Sequence, residues 1–265
     1  MPRAVPLRLA LAASLTFLAL AAGVAPAAAQ IVNVQGSLAA EPPAGWSGQL
    51  QAGVDWQTGN TSVVRLSGAG NLLYRRGPWL GLVLARGEYS EGQGVKLAEK
   101  SFEHLRGRRA LGRRLLWEAY VQHEYDAFRR LSVRAVAGTG PALRVVDGAR
   151  ASVTVGVSYM LEYERLSTLE GAADSGARAF HHRASTYVTG SVHFGDGLVG
   201  TQTVYAQPRL ADPADLLLLS ETSLTSQLTK RLALTNAFVL SYDSTPPVSI
   251  HRLSTALRLS LALTF

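Results

Sequence analysis

The sequence predicts an all-β fold, an antiparallel transmembrane β-barrel of about twelve strands. Three observations predict it. From Trp46 onward, segments of about ten residues alternate apolar with small or polar side chains, and turn residues separate them. Charged residues make up 17% of the chain, against about 25% in a typical soluble domain, while apolar residues make up 47%. Beyond the first 30 residues no apolar run reaches the roughly 18 residues that a spanning helix needs.

The N-terminus reads as a secretory signal peptide over residues 1–29. Arg3 and Arg8 supply its positive region, Leu9 to Val24 its apolar stretch, and Ala27-Ala28-Ala29 its small-residue cleavage site. Pro26 and the three alanines argue against an uncleaved anchor. The mature chain then starts near Gln30, with a periplasmic segment over residues 30–45 and the barrel over 46–265. Removing the signal takes two arginines and no acids from a net charge of +7, which leaves 7 − 2 = +5. The basic residues form neither a tail nor a helix face, so the charge carries no nucleic-acid signature. Anionic lipid head groups, small ions or anionic solutes are the fitting partners for an exported basic chain. There is no cysteine. That excludes a disulfide framework, a thiol nucleophile, a Cys-ligated zinc site and a lipid-anchored cysteine.

Strands are expected at 46–57, 62–75, 79–90, 98–108, 114–126, 131–145, 150–166, 182–194, 199–209, 216–228, 232–243 and 252–265. In the first, Leu50, Ala52, Val54 and Trp56 alternate with Gln49, Gln51, Gly53 and Asp55. From Leu115, Trp117, Ala119, Val121 and Tyr125 alternate with Glu118, Tyr120, Gln122 and Glu124. From Ala151, Val153, Val155, Val157, Tyr159, Leu161 and Tyr163 share one face, with Met160 the exception on the other. The strands at 98–108 and 216–228 alternate least. The last strand is the clearest: Leu253, Thr255, Leu257, Leu259, Leu261, Leu263 and Phe265 face one way, and Ser254, Ala256, Arg258, Ser260, Ala262 and Thr264 the other.

The connections test this count. Barrels keep short turns on the periplasmic side and longer loops outside. With both termini periplasmic, the inner turns are Arg75-Arg76-Gly77-Pro78, Ala110 to Arg113, Asp147-Gly148-Ala149, Gly195-Asp196-Gly197 and Thr229-Lys230-Arg231, and all are short. The two longest expected connections, Glu91 to Leu97 and Ser167 to His181, both fall outside. Aromatic residues sit near strand ends, among them Trp46, Trp56, Tyr74, Trp79, Tyr89, Tyr125, Tyr163, Phe194, Tyr242 and Phe265, as in an interfacial belt.

Three segments carry a family resemblance. They are Gly45-Trp46-Ser47-Gly48 leading into Thr58-Gly59-Asn60-Thr61, then His123-Glu124-Tyr125-Asp126, then Leu228-Thr229-Lys230-Arg231-Leu232 leading through Tyr242-Asp243-Ser244 to Phe265. Together they resemble the YdiY-like outer-membrane proteins, a domain-of-unknown-function family also described as salt-induced outer-membrane proteins. The resemblance spans Trp46 to Phe265. It implies an outer-membrane barrel and brings no catalytic residues or cofactor. The end of the chain also resembles the general C-terminal signal of such barrels. That implies an assembly signal formed by Leu257, Leu259, Leu261, Leu263 and Phe265, and the barrel-assembly machinery and periplasmic chaperones as partners.

Little in the sequence points to chemistry. On this register the inward face carries Glu118, Glu124, Arg134, Arg144, Glu162, Glu164, Arg183 and Arg258, the candidate lumen-lining residues. They are either a salt-bridged filling or a lining that selects solutes. With no long loop to fold in as a constriction, the filling is favoured. His181, His182 and Ser185 are weak candidates for a hydrolase site, because His182 and Ser185 point to opposite faces and His181 is too far along the strand for contact. Gly68, Gly70, Gly138, Gly140 and Gly156 fit barrel bends better than a phosphate loop. Two other readings stand beside a structural or narrow-channel barrel. One is an outer-membrane lipid hydrolase, which needs a lipid-facing nucleophile–base pair. The other is a soluble periplasmic β-barrel binder, which would turn the leucines of 253–265 inward.

Overall fold

A computed structural model describes residues 31–38, 42–58, 62–195 and 197–264. The signal peptide, its cleavage site and Phe265 lie outside these residues. Twelve strands follow in chain order: β1 (Gly45–Gln57), β2 (Val63–Arg76), β3 (Trp79–Gly92), β4 (Val95–Ala110), β5 (Leu115–Asp126), β6 (Leu131–Asp147), β7 (Ala151–Leu166), β8 (Arg178–His193), β9 (Leu198–Arg209), β10 (Asp212–Gln227), β11 (Leu232–Asp243) and β12 (Leu253–Thr264). Each pairs antiparallel with its sequence neighbours, and β1 meets β12 to close a barrel. Among the described residues no helix is long and apolar enough to cross a membrane.

Alternation decides which residues face out. On β5, Leu115, Trp117 and Val121 are exposed while Leu116, Glu118 and Tyr120 are buried. The same division holds for Val157, Tyr159 and Leu161 against Ser158, Met160 and Glu162 on β7. Leu257, Leu259, Leu261 and Leu263 of β12 face outward and are exposed. That orientation is opposite to the one a soluble binder requires. The outer surface is therefore an apolar band with aromatic residues at both rims. Trp46 packs on Tyr74, and the Arg109 guanidinium lies over Trp79, at the end carrying the short turns. Tyr163 packs on Phe180 at the other end.

Several strands run longer than their alternation suggests, and the loops shrink accordingly. β3 and β4 extend to a turn at Gln93 and Gly94, both with positive φ. The expected long loop at Glu91 to Leu97 is thus a hairpin, with a register shift after Ser90. β8 begins at Arg178 rather than 182, and β10 at Asp212 rather than 216. The longest outer connections are 167–177 and 244–252. Ladder hydrogen bonds reward pairing past the membrane band, where side chains no longer need to alternate.

Two strand glycines are required by close approach. A Cβ on Gly140 would sit 2.1 Å from the Val157 carbonyl oxygen, and one on Gly156 would sit 2.2 Å from the Tyr187 ring. Next to Gly140, Pro141 lacks a ladder N–H, and the β6–β7 pairing skips from Thr139↔Tyr159 to Ala142↔Gly156. Gly140 lets the strands stay in contact across this interruption.

The largest departure from the sequence reading concerns residues 30–45, expected in the periplasm. The structure corrects this: Ile31–Leu38 runs inside the barrel, ending in a 3-10 turn at Gln35–Leu38. Val34 and Leu38 pack with Leu73, Leu82, Leu84 and Phe102, while Ile31 reaches a cluster with Leu116, Tyr187 and Tyr205. Its apolar residues find inward-facing apolar partners that alternation alone does not reveal.

Candidate functional site: an occupied lumen

The inner end of the lumen is occupied by this segment. Asn33 is its anchor. Its side-chain Nδ2 donates to Glu221 Oε1 at 2.9 Å, and its Oδ1 accepts from the backbone N–H groups of Gln35 at 3.0 Å and Gly36 at 3.3 Å. Arg86 donates to the Asn33 carbonyl at 3.3 Å. Arg108 donates to Gln35 Oε1 at 3.0 Å, and Asn71 to Ser37 Oγ at 3.2 Å. The polar positions of the segment thus meet lumen side chains from β2, β3, β4 and β10.

Beside it stand two ionic clusters. In the first, Glu118 accepts from Arg106 at 3.0 Å, from Arg108 Nε at 2.7 Å and from the Tyr187 hydroxyl at 3.0 Å. Arg106 Nε also donates to His104 Nε2, so His104 Nδ1 carries the proton and donates to Gln122. In the second, Glu162 binds Arg134 at 2.5 Å and Arg183 at 3.0 Å. Arg134 reaches Glu124 at 3.2 Å, and Arg183 reaches Asp215 at 3.0 Å. These carboxylates and guanidiniums are almost fully buried, Arg134 at 2% exposure and Glu162 at 1%. A cavity of about 20 Å³ remains between the clusters, bounded by Ile31, Arg106, Tyr120, Arg134, Tyr205 and Gln207. That is room for about one water.

Of the residues singled out from sequence, Glu118, Glu124, Arg134, Glu162 and Arg183 meet in these clusters. Arg144 lies apart near the inner rim, 4.0 Å from Asp147. Glu164 is half-buried toward the outer end, and Arg258 faces inward but is exposed. Arg106, Arg108 and His104 were missed because β4 shows weak alternation; they share one face with Phe102, opposite Glu103, Leu105 and Gly107. Asn33 and Gln35 lie in a stretch without strand pattern. His181 faces the lumen and His182 the outside, where it bonds the Tyr159 hydroxyl, so the adjacent histidines do not converge. The Ser185 hydroxyl accepts from Gln207 at 3.0 Å.

The outer mouth carries a latch. Arg130, at positive φ after the short 3-10 turn Ala127–Arg129, donates to Asp174 Oδ1 at 2.7 Å, to the Val248 carbonyl at 3.1 Å and to the Ser167 carbonyl at 3.3 Å. Asp174 Oδ2 accepts the Val248 N–H at 2.8 Å. Three outer connections are thereby joined. The Arg130 hydrogen bond holds the Asp174 carboxyl below the usual carboxylate range. A depressed folded pKa gives a contribution that is complete above about pH 4 and lost as pH falls through the folded value. Protection of the Val248 amide from exchange, corrected for the intrinsic rate, is therefore expected to stay constant from about pH 7 to pH 5 and to fall only in stronger acid. Asp174→Asn should lose that protection at neutral pH. Loss already near pH 6 in the unaltered chain would mean that Asp174 does not hold the latch.

Residues 50–265 match the family described as "protein of unknown function, DUF481". The chain belongs to this family. Across the matched span the DUF481 chain comprises the second half of β1, from Leu50, and every other strand. No curated protein sequence matches it. Among solved structures it is similar to the NanC porin, with a TM-score of 0.46 and 7% identity over 83% of this chain and 97% of that one. It is also similar to the KdgM porin, with a TM-score of 0.42 and 9% identity over 83% and 99%. The translocator domain of the autotransporter NalP from Neisseria meningitidis gives 0.47 and 11% over 97% of each chain. At these scores the likeness assigns the DUF481 chain neither a substrate nor an activity.

Proposed function

We propose that this chain is a non-enzymatic outer-membrane barrel, a narrow solute channel held shut by its own N-terminal segment. The observation that carries the reading is Ile31–Leu38 seated in the lumen by Asn33, Gln35 and Ser37. The apolar outer band, the aromatic rims and the short inner turns support insertion in a bacterial outer membrane after export on a cleaved signal peptide. Outer-membrane lipid, the assembly machinery and periplasmic chaperones are the partners this reading requires. Small ions or solutes are its cargo. The charged side chains Glu118, Glu124, Arg134, Glu162 and Arg183 line the path beside the segment.

The test is planar-bilayer recording of the refolded mature chain, with a heat-shifted gel band as the folding control. The unaltered chain is expected to be closed for most of the record. Asn33→Ala removes one lumen anchor and two turn-forming bonds, each contributing about 0.5–1.5 kcal/mol. Open probability is expected to rise roughly tenfold or more. Equal open probability in the two chains would remove the segment from the gate.

A further inference from the structure

The closing seam of the barrel is short. Among the described residues β1 and β12 pair only at Gln49↔Thr264 and Leu50↔Leu263. On its other side β1 pairs with β2 from Gly45 to Gln57 without a break. Continued in register, the seam would place Val54 opposite Leu259 and Asp55 opposite Arg258. Exposure agrees that it parts. Val54 is 76% and Trp56 75% exposed, the highest values among the large apolar side chains, against 60% for Leu50 and 53% for Leu263 where the two strands pair. Inward-facing Asp55 and Arg258 are exposed as well.

Unpaired backbone is costly in hydrocarbon and is tolerated where water or a ligand reaches it. This slit has apolar lips, Val54 and Trp56 on one side and Leu257 and Leu259 on the other. Its lumen side is charged. Asp55 is 3.9 Å from Arg65, and Glu221 attracts Arg86. Arg258 lies close enough to Arg86 for the two charges to repel, and among the described residues it has no ion pair or hydrogen bond. A cation without a partner behind a greasy slit complements an anionic head on a single apolar chain. A carboxylate matches a guanidinium with two parallel hydrogen bonds.

We propose that the parted seam between Gln51–Gln57 and Leu253–Ala262 is a lateral portal that seats a long-chain carboxylate from the membrane, its head on Arg258 and its chain between the two lips. The portal opens sideways into the bilayer, so it does not depend on the N-terminal segment leaving the lumen.

Two measurements test it on the full mature chain in vesicles, separately from conductance. The chain has no cysteine, so engineered pairs report the seam cleanly. Leu50→Cys with Leu263→Cys is expected to cross-link readily, and Val54→Cys with Leu259→Cys only slightly. Equal cross-linking overturns the parted seam. For the ligand, Trp56 is made the only tryptophan by Trp46→Phe, Trp79→Phe and Trp117→Phe. Dibrominated stearic acid is expected to quench it saturably and more strongly than the methyl ester. Arg258→Gln should weaken the acid's effect about tenfold, as expected for loss of a charged hydrogen-bond pair, while Arg258→Lys retains most of it. Equal quenching by acid and ester, or full quenching in a folded Arg258→Gln chain, overturns the carboxylate site.

Discussion

A chain beginning at residue 42 is expected to conduct in discrete steps across a planar bilayer where the mature chain stays closed. Residues 31–38 fill lumen space and take up lumen hydrogen bonds, yet contribute no strand to the wall. Removing them leaves the twelve-strand ladder intact. Burial of Ile31, Val34 and Leu38 contributes about 1.5–3 kcal/mol each, and the hydrogen bonds about 0.5–1.5 kcal/mol each. Ordering eight residues opposes this at about 1–2 kcal/mol per residue. The two sums are of similar size, so the segment is held loosely enough to be released. The charges left along the path, Arg86, Arg106 and Arg108 against Glu118 and Glu221, should give the opened pore a weak anion preference, readable as the reversal potential in a salt gradient. A truncated chain that folds, by its heat-shifted band, and still does not conduct would place the block in the ionic clusters.

Glu162→Gln is expected to lower the unfolding free energy by about 3–5 kcal/mol, measured from the denaturant midpoint of the refolded protein. Glu162 holds Arg134 at 2.5 Å and Arg183 at 3.0 Å, and all three are buried. Losing one carboxylate leaves two guanidiniums short of charge in a place water barely reaches. Arg183 keeps Asp215, and Arg134 keeps Glu124 at the longer 3.2 Å. For that reason Glu124→Gln should cost less than Glu162→Gln. An effect below about 1 kcal/mol for Glu162→Gln is the magnitude of an exposed ion pair. It would show that water fills the lumen at this height even with the N-terminal segment in place.

The architecture was legible because a two-faced strand writes its environment into every second residue. Leu257, Leu259, Leu261 and Leu263 face outward as their spacing requires. Glu118, Glu124, Arg134, Glu162 and Arg183 were legible as inward for the same reason. Which of them touch was not legible. Arg108 and Glu118 are cross-strand partners through the β4–β5 register, and Arg134 and Glu162 bond diagonally across β6 and β7. Register depends on turn geometry and on bulges such as the shift after Ser90, which a local pattern does not encode.

By itself the sequence determined that this chain is a barrel of strands with an apolar outside and a charged inside, since period-two alternation is a local property. Only the tertiary structure decided what fills that inside and where the wall is thin. Ile31–Leu38 has no period, and its partners Arg86, Arg108 and Glu221 are distant in sequence, so its place in the lumen exists only once the barrel has closed around it. The short β1–β12 seam joins the two ends of the barrel sequence, and the extent of that pairing is set by the curvature of the whole sheet.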